Sequence, residues 1–258
     1  MHPPHTKDQS ASFYNHYWQH VEGSYGLYPT IRHRKRFITA RLRSLHPSGS
    51  FTLYDFGCGD GRLLRDLRNT FSLPPANIGG SDVADEAVRS TRAVTGSASV
   101  HRGAFPDIPD RYDAMVCSEV IEHTERYRDI LAWIYEHLAP GGSLILTTQA
   151  GRIHASDRYT GHTQHFRLAD VVAILRSLGY HIDYVRAWGF PFFTLQKYLT
   201  NMRFDHIQKT YMEGTPSLRK RVVFAVAYLL YFLHDLIPLG PQLYLVARRQ
   251  ARTPSTTP

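Results

Sequence analysis

Hydrophobic and polar positions along this chain alternate between two patterns. Short runs rich in β-branched and aromatic residues predict strands at residues 51–57, 77–83, 111–118, 143–149, 181–188 and 243–249. Apolar residues at helical spacing predict helices at residues 28–45, 62–70, 85–95, 127–138 and 168–178. Because strands that alternate with helices form right-handed βαβ units, the pattern predicts an α/β fold with a mainly parallel sheet covered on both faces.

The same pattern divides the chain into five segments. Residues 1–50 predict an N-terminal helical cap that is rich in aromatic residues, and residues 51–189 predict the core. Residues 190–240 predict a helical lid inserted between the last two strands, and residues 241–250 predict the final core strand. Residues 251–258 have the composition of a disordered tail.

The predicted lid contains a helix that is apolar on nearly every face, over residues 222–233, after the basic run 219–221. Such a helix is buried, faces an apolar ligand, or contacts a membrane or a partner chain. The sequence leaves open burial within a homodimer, a substrate wall that includes Phe192 and Phe193, and a peripheral membrane contact. Cations at a helix N-terminus oppose the macrodipole, so we expect the basic run to serve solubility, an anion or a surface.

Composition excludes several classes of protein. Two cysteines among 258 residues are too few for a disulfide framework, and the longest apolar stretch, of 12 residues, is too short to span a membrane. The first ten residues have no apolar run typical of a signal peptide, so we expect a cytoplasmic protein. A net charge of +8 permits attraction to nucleic acid, acidic lipid or an anionic substrate without choosing among them.

The strongest local signal is YDFGCGDG at residues 54–61, where a strand runs into a glycine-rich turn and then a helix. Glycines let a ligand approach the backbone at the carboxyl edge of the sheet. A nicotinamide or flavin site would have a third glycine at position 62, where this chain has Arg62. Asp82 ends the second predicted strand, where a carboxylate can accept hydrogen bonds from both ribose hydroxyls. The pattern therefore predicts a nucleoside cofactor.

Over residues 51–190 the sequence resembles the class I S-adenosylmethionine-dependent methyltransferases. The resemblance rests on five segments in the family's order: YDFGCGDGR, GSDVADEAV, YDAMVCSEVIEH, LAPGGSLILTT, and GHTQHF followed by LRSLGY. It implies a methyltransferase that uses S-adenosyl-L-methionine as cofactor. It also implies a Rossmann-like, doubly wound sheet with an antiparallel last strand, N-terminal helices and a helical lid.

By this resemblance, Asp55 and the Gly57–Gly61 turn face the methionine half of the cofactor, and Asp82 faces its ribose. The strand end at Cys117-Ser118-Glu119 lies beside the transferable methyl group. The implied cofactor-binding residues are Tyr17, Asp55, Gly57, Cys58, Gly59, Gly61, Asp82, Val83, Phe105, Ser118 and Glu119. Relatives often have an Asp after the third strand for the adenine amine, whereas this chain reads RGAF at residues 102–105. We therefore expect backbone groups and Phe105 to contact the adenine. Tyr14, Tyr17 and Trp18 either close over the cofactor and acceptor or pack as an aromatic stripe on the core.

The segment EVIEH at residues 119–123 offers two carboxylates and an imidazole within five residues, which could bind a divalent cation. Similar segments bind metal in ubiquinone-biosynthesis O-methyltransferases and in small-RNA 3′-terminal 2′-O-methyltransferases, the latter with a further downstream His. The resemblance implies Mg²⁺ or another divalent cation held by Glu119, Glu122, His123 and His162, with His165 as an alternative to His162. In the alternative without metal, Glu122 caps a helix and His123 lines the pocket.

Neutral imidazoles at this position suit acid–base chemistry, because their ordinary pKa lies near neutrality. His123, His162 and His165 are thus the candidate catalytic residues, and they favour O-methylation of a small, bulky and apolar acceptor such as a natural product. The alternatives are an RNA ribose 2′-O-methyltransferase, an N- or C-methyltransferase, and an inactive scaffold that retains cofactor binding. No RNA-binding module is visible, so we do not expect a nucleic-acid partner.

Overall fold

The computed structural model describes residues 14, 15, 25–204 and 217–250. Seven strands form a single sheet, and each strand follows one of the predicted apolar runs except the third. The strands are β1 (Leu53–Phe56), β2 (Ile78–Asp82), β3 (Val100–Arg102), β4 (Tyr112–Ser118), β5 (Leu138–Gln149), β6 (Tyr180–Trp188) and β7 (Gln242–Arg249).

Eight α-helices connect or precede these strands in the described residues. They are α1 (Pro29–Leu45), α2 (Arg62–Phe71), α3 (Asp85–Thr95), α4 (Tyr127–His137), α5 (Ala155–Tyr159), α6 (Leu168–Ser177), α7 (Phe192–Met202) and α8 (Leu218–Leu230). Short 3₁₀ helices occur at Tyr25–Leu27, Pro75–Asn77, Ile121–His123 and Tyr231–Asp235. No helix in these ranges is long and apolar enough to cross a bilayer.

The strand order is β3-β2-β1-β4-β5-β7-β6, with β7 antiparallel to both of its neighbours and the other pairs parallel. The predicted Rossmann-like fold with an antiparallel last strand is therefore confirmed. The carboxyl ends of β1 and β4 lie side by side, since Phe56 pairs with Cys117. This arrangement brings the glycine turn next to the segment that follows β4.

Alternate residues of the central strands fill two separate cores. Tyr54 and Met115 pack on one face of the sheet with Trp133 of α4. Leu53 and Val116 pack on the other face with helices α1 and α2. Because both faces are buried, these strands read as continuous apolar runs, which explains why periodicity identified them.

Strand β3 was absent from the predicted pattern. It has three residues at the sheet edge, and only Val100 is buried. A strand this short gives no period to detect, and its sequence, VHR, carries only one apolar residue.

Residues 190–204 and 217–240 lie between β6 and β7 and contain α7 and α8. Helix α8 packs on α1, because the Phe224 ring lies 4.8 Å from that of Tyr28 and the Arg32 guanidinium lies 3.6 Å from the Tyr228 ring centre. His33 Nε2 also lies 2.8 Å from the carbonyl oxygen of Tyr228. Helix α8, which contains most of the predicted apolar helix, is therefore packed on α1 of the predicted N-terminal cap.

Candidate active site

A cavity of about 420 Å³ opens at the carboxyl edge of the sheet, between the glycine turn, the end of β4 and helix α1. Six of the predicted cofactor-binding residues line it: Asp55, Gly57, Cys58, Gly59, Ser118 and Glu119. Tyr14, His123 and His162 line it as well. The structure thus brings the predicted cofactor turn and two of the candidate catalytic histidines to one cavity.

Two glycines of the turn could not be replaced without strain. Gly57 has φ 75°, and a Cβ there would lie 2.4 Å from the Val120 side chain. Gly61 has φ 77°, and a Cβ there would lie 2.6 Å from Cα of Thr91. The turn therefore needs glycine both for its left-handed backbone and for close packing on neighbouring elements.

Asp82 holds the turn from the end of β2. One carboxylate oxygen accepts the backbone N–H of Gly59 at 3.0 Å, and the other accepts that of Ala84 at 2.9 Å. Burial raises the pKa of Asp82 and, together with the charges of Asp82 and Asp60, raises the pKa of Asp55 to about 8. Asp55 therefore forms a buried acidic floor of the cavity, suited to the hydroxyl and ammonium groups of a nucleoside amino acid, while Asp82 holds the turn behind it.

Other predicted cofactor residues lie outside the cavity lining. Gly61 is the last glycine of the turn, Asp82 ends β2 and Val83 follows it. Phe105 lies under Arg126, whose guanidinium is 4.4 Å from the ring centre. Tyr17 and Trp18 lie outside the described residues. Their predicted contacts with cofactor and acceptor stay predictions.

Glu119 follows β4 with φ 57°, a strained conformation for a residue that has a Cβ. Its carboxylate lies 3.2 Å from Arg34 Nη1 and accepts hydrogen bonds from Gln149 at 2.6 Å and Gln242 at 2.7 Å. Burial raises the pKa of Glu119, but Arg34 and these hydrogen bonds outweigh it and hold the pKa below its ordinary value. Glu119 is therefore an ionised anchor of the cavity wall.

The residues that hold Glu119 were not predicted from the sequence. Arg34 belongs to the basic run of α1. Arg32 and Lys35 of this run also line the cavity, and nothing in the run distinguishes the cation that pairs with Glu119. Gln149 and Gln242 end β5 and begin β7, so the only available signal was a polar residue beside an apolar strand.

A chain of neighbouring rings follows Glu119, joined by two hydrogen bonds and one edge-to-face contact. The hydroxyl of Tyr14 lies 2.8 Å from Nδ1 of His123, the rings of His123 and His162 are 4.6 Å apart, and His162 Nδ1 lies 2.9 Å from His165 Nε2. Burial lowers the pKa of His123 to about 4, and burial and the neighbouring imidazoles lower the pKa of His162 further. Both rings are therefore neutral at physiological pH.

Two groups of side chains here have ligand atoms within 4.8 Å of one another, the spacing a metal ion needs: Glu122, His123 and His162, and Asp157, His162 and His165. Glu122 Oε2 accepts a hydrogen bond from Thr148 at 2.9 Å, while Oε1 is buried with no hydrogen-bond partner. Burial and the charge of Glu119 raise the pKa of Glu122 well above its ordinary value. The structure does not bring the predicted ligand Glu119 into the first group, because Arg34 and the two glutamine amides hold its carboxylate.

The predicted substrate residues are separated in space. Tyr14 lies at the cavity and Asn15 beside it accepts the backbone N–H of Glu86 at 3.1 Å, so this segment links α3 to His123. Phe192 and Phe193 are not at the cavity. They pack around Trp188 and Tyr231, with their backbone N–H groups directed at Nε2 of His234. The expected wall of an apolar acceptor pocket is therefore not formed by these two rings.

Residues 30–193 match the methyltransferase domain family. The chain is 26% identical over 137 residues to the mitochondrial ubiquinone biosynthesis O-methyltransferase of Schizosaccharomyces pombe, covering 51% of this chain and 50% of that protein. It is 23% identical over 142 residues to the ubiquinone biosynthesis O-methyltransferase of Rickettsia canadensis, covering 52% of this chain and 58% of that protein. The chain thus spans little more than half the length of these relatives. One is mitochondrial, and the expected cytoplasmic location stays a prediction.

Solved structures share the fold at low identity. The N-methyltransferase NodS of Bradyrhizobium japonicum in complex with S-adenosylhomocysteine is 16% identical with a TM-score of 0.55, covering 93% of this chain and 97% of that chain. The magnesium protoporphyrin IX methyltransferase of Synechocystis with S-adenosylhomocysteine bound is 15% identical with a TM-score of 0.58, covering 95% and 100%. Together with the glycine turn and its acidic floor, the family match leads to one conclusion. The chain belongs to the methyltransferase domain family and is a class I S-adenosylmethionine-dependent methyltransferase.

Proposed function

We propose that this protein transfers the methyl group of S-adenosylmethionine to a hydroxyl oxygen of a small organic acceptor. The observation that carries the proposal is a hydroxyl–imidazole pair at the cavity wall, in which the Tyr14 hydroxyl lies 2.8 Å from Nδ1 of His123. An acceptor hydroxyl that takes the position of the Tyr14 hydroxyl would reach the same nitrogen. A base must be within such hydrogen-bond reach of the proton it removes.

The residues at the glycine turn fit the cofactor. The turn approaches the cavity without side chains at Gly57 and Gly59, and Asp55 presents a buried carboxyl group there. We assign the methionine half to this turn and the ribose hydroxyls to Asp82. When bound, S-adenosylmethionine supplies the sulfonium methyl group that is transferred.

His123 would take up the proton that the acceptor hydroxyl loses. Its ring is neutral at physiological pH because burial lowers the pKa, and a backbone hydrogen bond with Gly161 helps fix its orientation. The methyl–oxygen bond forms as the methyl–sulfur bond breaks, and the proton leaves the oxygen for the imidazole. Holding donor and acceptor at reacting distance can supply roughly 7–11 kcal/mol of the barrier, so the cavity's main contribution is position.

Oxygen is favoured over nitrogen as the accepting atom for two reasons. An amine acceptor can reach its reactive neutral form without a dedicated base more readily than a hydroxyl can lose its proton, so a cluster of neutral imidazoles suits a hydroxyl. The matching curated relatives also carry the names of O-methyltransferases.

Metal-assisted O-methylation is a second candidate, and one observation favours it. Glu122 Oε1 is buried without a partner beside His123 and His162, so a cation would satisfy an acceptor that is otherwise costly to bury. Glu122, His123 and His162 would hold Mg²⁺ or another divalent cation, which would orient the acceptor oxygen and lower its pKa. Loss of turnover with a chelator and its return with Mg²⁺ or Mn²⁺ would support this version. Full turnover in excess chelator would leave the imidazole as the base.

Matched acceptors test the proposal. Phenols and catechols are compared with the corresponding anilines in assays with methyl-labelled S-adenosylmethionine, and the methylated atom is identified by NMR. We expect methyl ethers, with slower or absent transfer to the anilines. Exclusive N- or C-methylation would overturn the assignment while leaving the family unchanged.

A further inference from the structure

Helix α7 carries an apolar stripe that faces solvent. Leu195, Tyr198, Leu199 and Met202 are each more than half exposed. Their spacing of three, four and seven residues places them on one side of the helix. A helix packed on a globular core normally turns such a stripe inward.

The polar side chains of α7 face the protein instead. Lys197 Nζ lies 3.0 Å from the Asp157 carboxylate, and Asn201 donates to the Ser156 hydroxyl at 2.9 Å. Gln196 accepts a hydrogen bond from the hydroxyl of Tyr231. The amphipathic pattern of α7 is therefore inverted, with its hydrophilic side tied down and its hydrophobic side outward.

Helix α8 also turns an apolar stripe outward, although its inner side is aromatic. Leu218, Val222, Val226 and Leu229 are each more than half exposed and follow one side of the helix. The opposite side packs on α1 through Phe224 and Tyr228. Leu236 and Leu239, which follow α8, are also more than half exposed.

The two helices are held as neighbours. The hydroxyl of Tyr231, directly after α8, donates to Gln196 of α7. His234 accepts the backbone N–H of Phe192 at 3.2 Å, at the start of α7. We call the exposed apolar side chains of this unit the outward face: Leu195, Tyr198, Leu199, Met202, Leu218, Val222, Val226 and Leu229.

Among the described residues, the charged side chains that flank the outward face on or next to α7 and α8 are cationic. Arg203 follows α7, Arg219 and Arg221 lie at the start of α8, and all three are exposed. Neither helix contains an Asp or a Glu. Cations in the first turn of α8 oppose its macrodipole, so they do not stabilise the helix.

We propose that the outward face docks the protein on an anionic lipid surface. The apolar stripes would enter the boundary between headgroups and acyl chains, and Arg203, Arg219 and Arg221 would pair with anionic headgroups. A second copy of the chain fits less well, because α7 and α8 as described contain no acidic side chain that could pair with Arg203 or Arg219 across such an interface. The proposal is independent of the methyl acceptor.

Vesicle flotation of the full chain tests the proposal. One vesicle preparation is phosphatidylcholine alone, and the other is an equal mixture of phosphatidylcholine and phosphatidylglycerol. We expect the protein to float with the mixed vesicles, to float much less with the neutral ones, and to be released by added salt. This measurement needs no variant. Failure to float with the mixed vesicles at low salt would overturn the proposal.

Variants locate the contact. Leu199→Asp and Leu229→Asp should each weaken vesicle binding by about tenfold or more, and Arg219→Gln with Arg221→Gln by about fivefold per charge. Val185→Asp and Arg176→Gln are the matched controls, since both side chains are exposed but lie on β6 and α6. They should bind like the wild type. Equal binding by wild type and helix variants would contradict the proposal, as would a dimer that these variants dissociate in the absence of vesicle binding.

Discussion

The carboxyl edge of the sheet and the α7–α8 unit place their polar and apolar side chains in opposite ways. At the sheet edge, apolar side chains pack inward, and ionisable groups such as Asp55 and His162 are buried around a cavity. In the α7–α8 unit, apolar stripes face outward, and hydrophilic side chains of α7 are tied to the protein. Buried polar groups are costly and exposed apolar stripes are unusual, so each departure points to a surface that binds something. We propose that the first surface binds the reactants and the second binds lipid.

The largest predicted effect lies at the sheet edge. His123→Ala removes the group that accepts the hydroxyl proton, so turnover should fall by roughly 10²–10⁴ while cofactor affinity is retained. Steady-state kinetics and calorimetry of S-adenosylhomocysteine binding give the two numbers. His181→Ala, on the exposed side of β6, is the control and should match the wild type. Unchanged turnover in His123→Ala would contradict the assignment of His123 as the base.

A smaller effect is expected from Asp82→Ala. This change deletes the acceptor of the Gly59 N–H and the proposed contact with the ribose, so cofactor binding should weaken by about 1.5–3 kcal/mol, roughly 10- to 150-fold. Calorimetry measures it directly. Asp85→Ala, which removes an exposed carboxylate three residues further along the chain at the start of α3, should bind like the wild type. Equal affinity of both variants would remove Asp82 from the cofactor site.

Low pH should weaken the packing between α1, which lines the cavity, and α8. Burial, with Arg36 and Arg32 nearby, lowers the pKa of His33 to about 4, whereas an unfolded histidine titrates near 6.5. Between these pH values the unfolded state therefore binds a proton at His33 that the folded state does not. The free energy of unfolding decreases as the pH falls from about 6.5 to about 4. His33→Gln should reduce this loss by about 1 kcal/mol. The fall in melting temperature between these pH values should then be roughly 2–4 °C smaller than in the wild type. A matching pH slope for His33→Gln and the wild type would contradict the assignment.

The smallest effect on catalysis is expected from Phe192→Ala. The ring packs on His234 and Trp188 rather than at the cavity, so the acceptor's KM should change by less than about twofold. Tyr14→Phe is the contrasting variant, because it removes the hydroxyl that occupies Nδ1 of His123 at the cavity and should change that KM by roughly two- to tenfold. A KM that depends on Phe192 and not on Tyr14 would indicate that the acceptor binds beside α7 and not at the cavity wall formed by Tyr14.

The sequence predicted the fold well because the central strands are buried on both faces. Runs such as residues 111–118 and 143–149 needed no tertiary information to be recognised. The glycine turn was equally clear, since positive φ at Gly57 and Gly61 restricts the residues that fit. Strand β3 was missed because three residues at a sheet edge carry no period.

The site was less predictable where it depends on contacts between distant segments. Arg34 reaches Glu119 across 85 residues of sequence, and no local signal separates it from the other cations of α1. The lid helix was recognised as apolar, but its orientation depends on Phe224 and Tyr228 packing on α1. Side-chain direction of this kind is set by tertiary packing, which a hydrophobic pattern does not encode.

A crystal structure with S-adenosylhomocysteine bound would test the central claim most directly. We predict the adenosine near Asp82, the amino-acid end at the Gly57–Gly59 turn, and the sulfur facing His123 across a space large enough for an acceptor hydroxyl. A cofactor whose sulfur faces away from His123, with no acceptor-sized space between them, would contradict the assignment of this imidazole as the base.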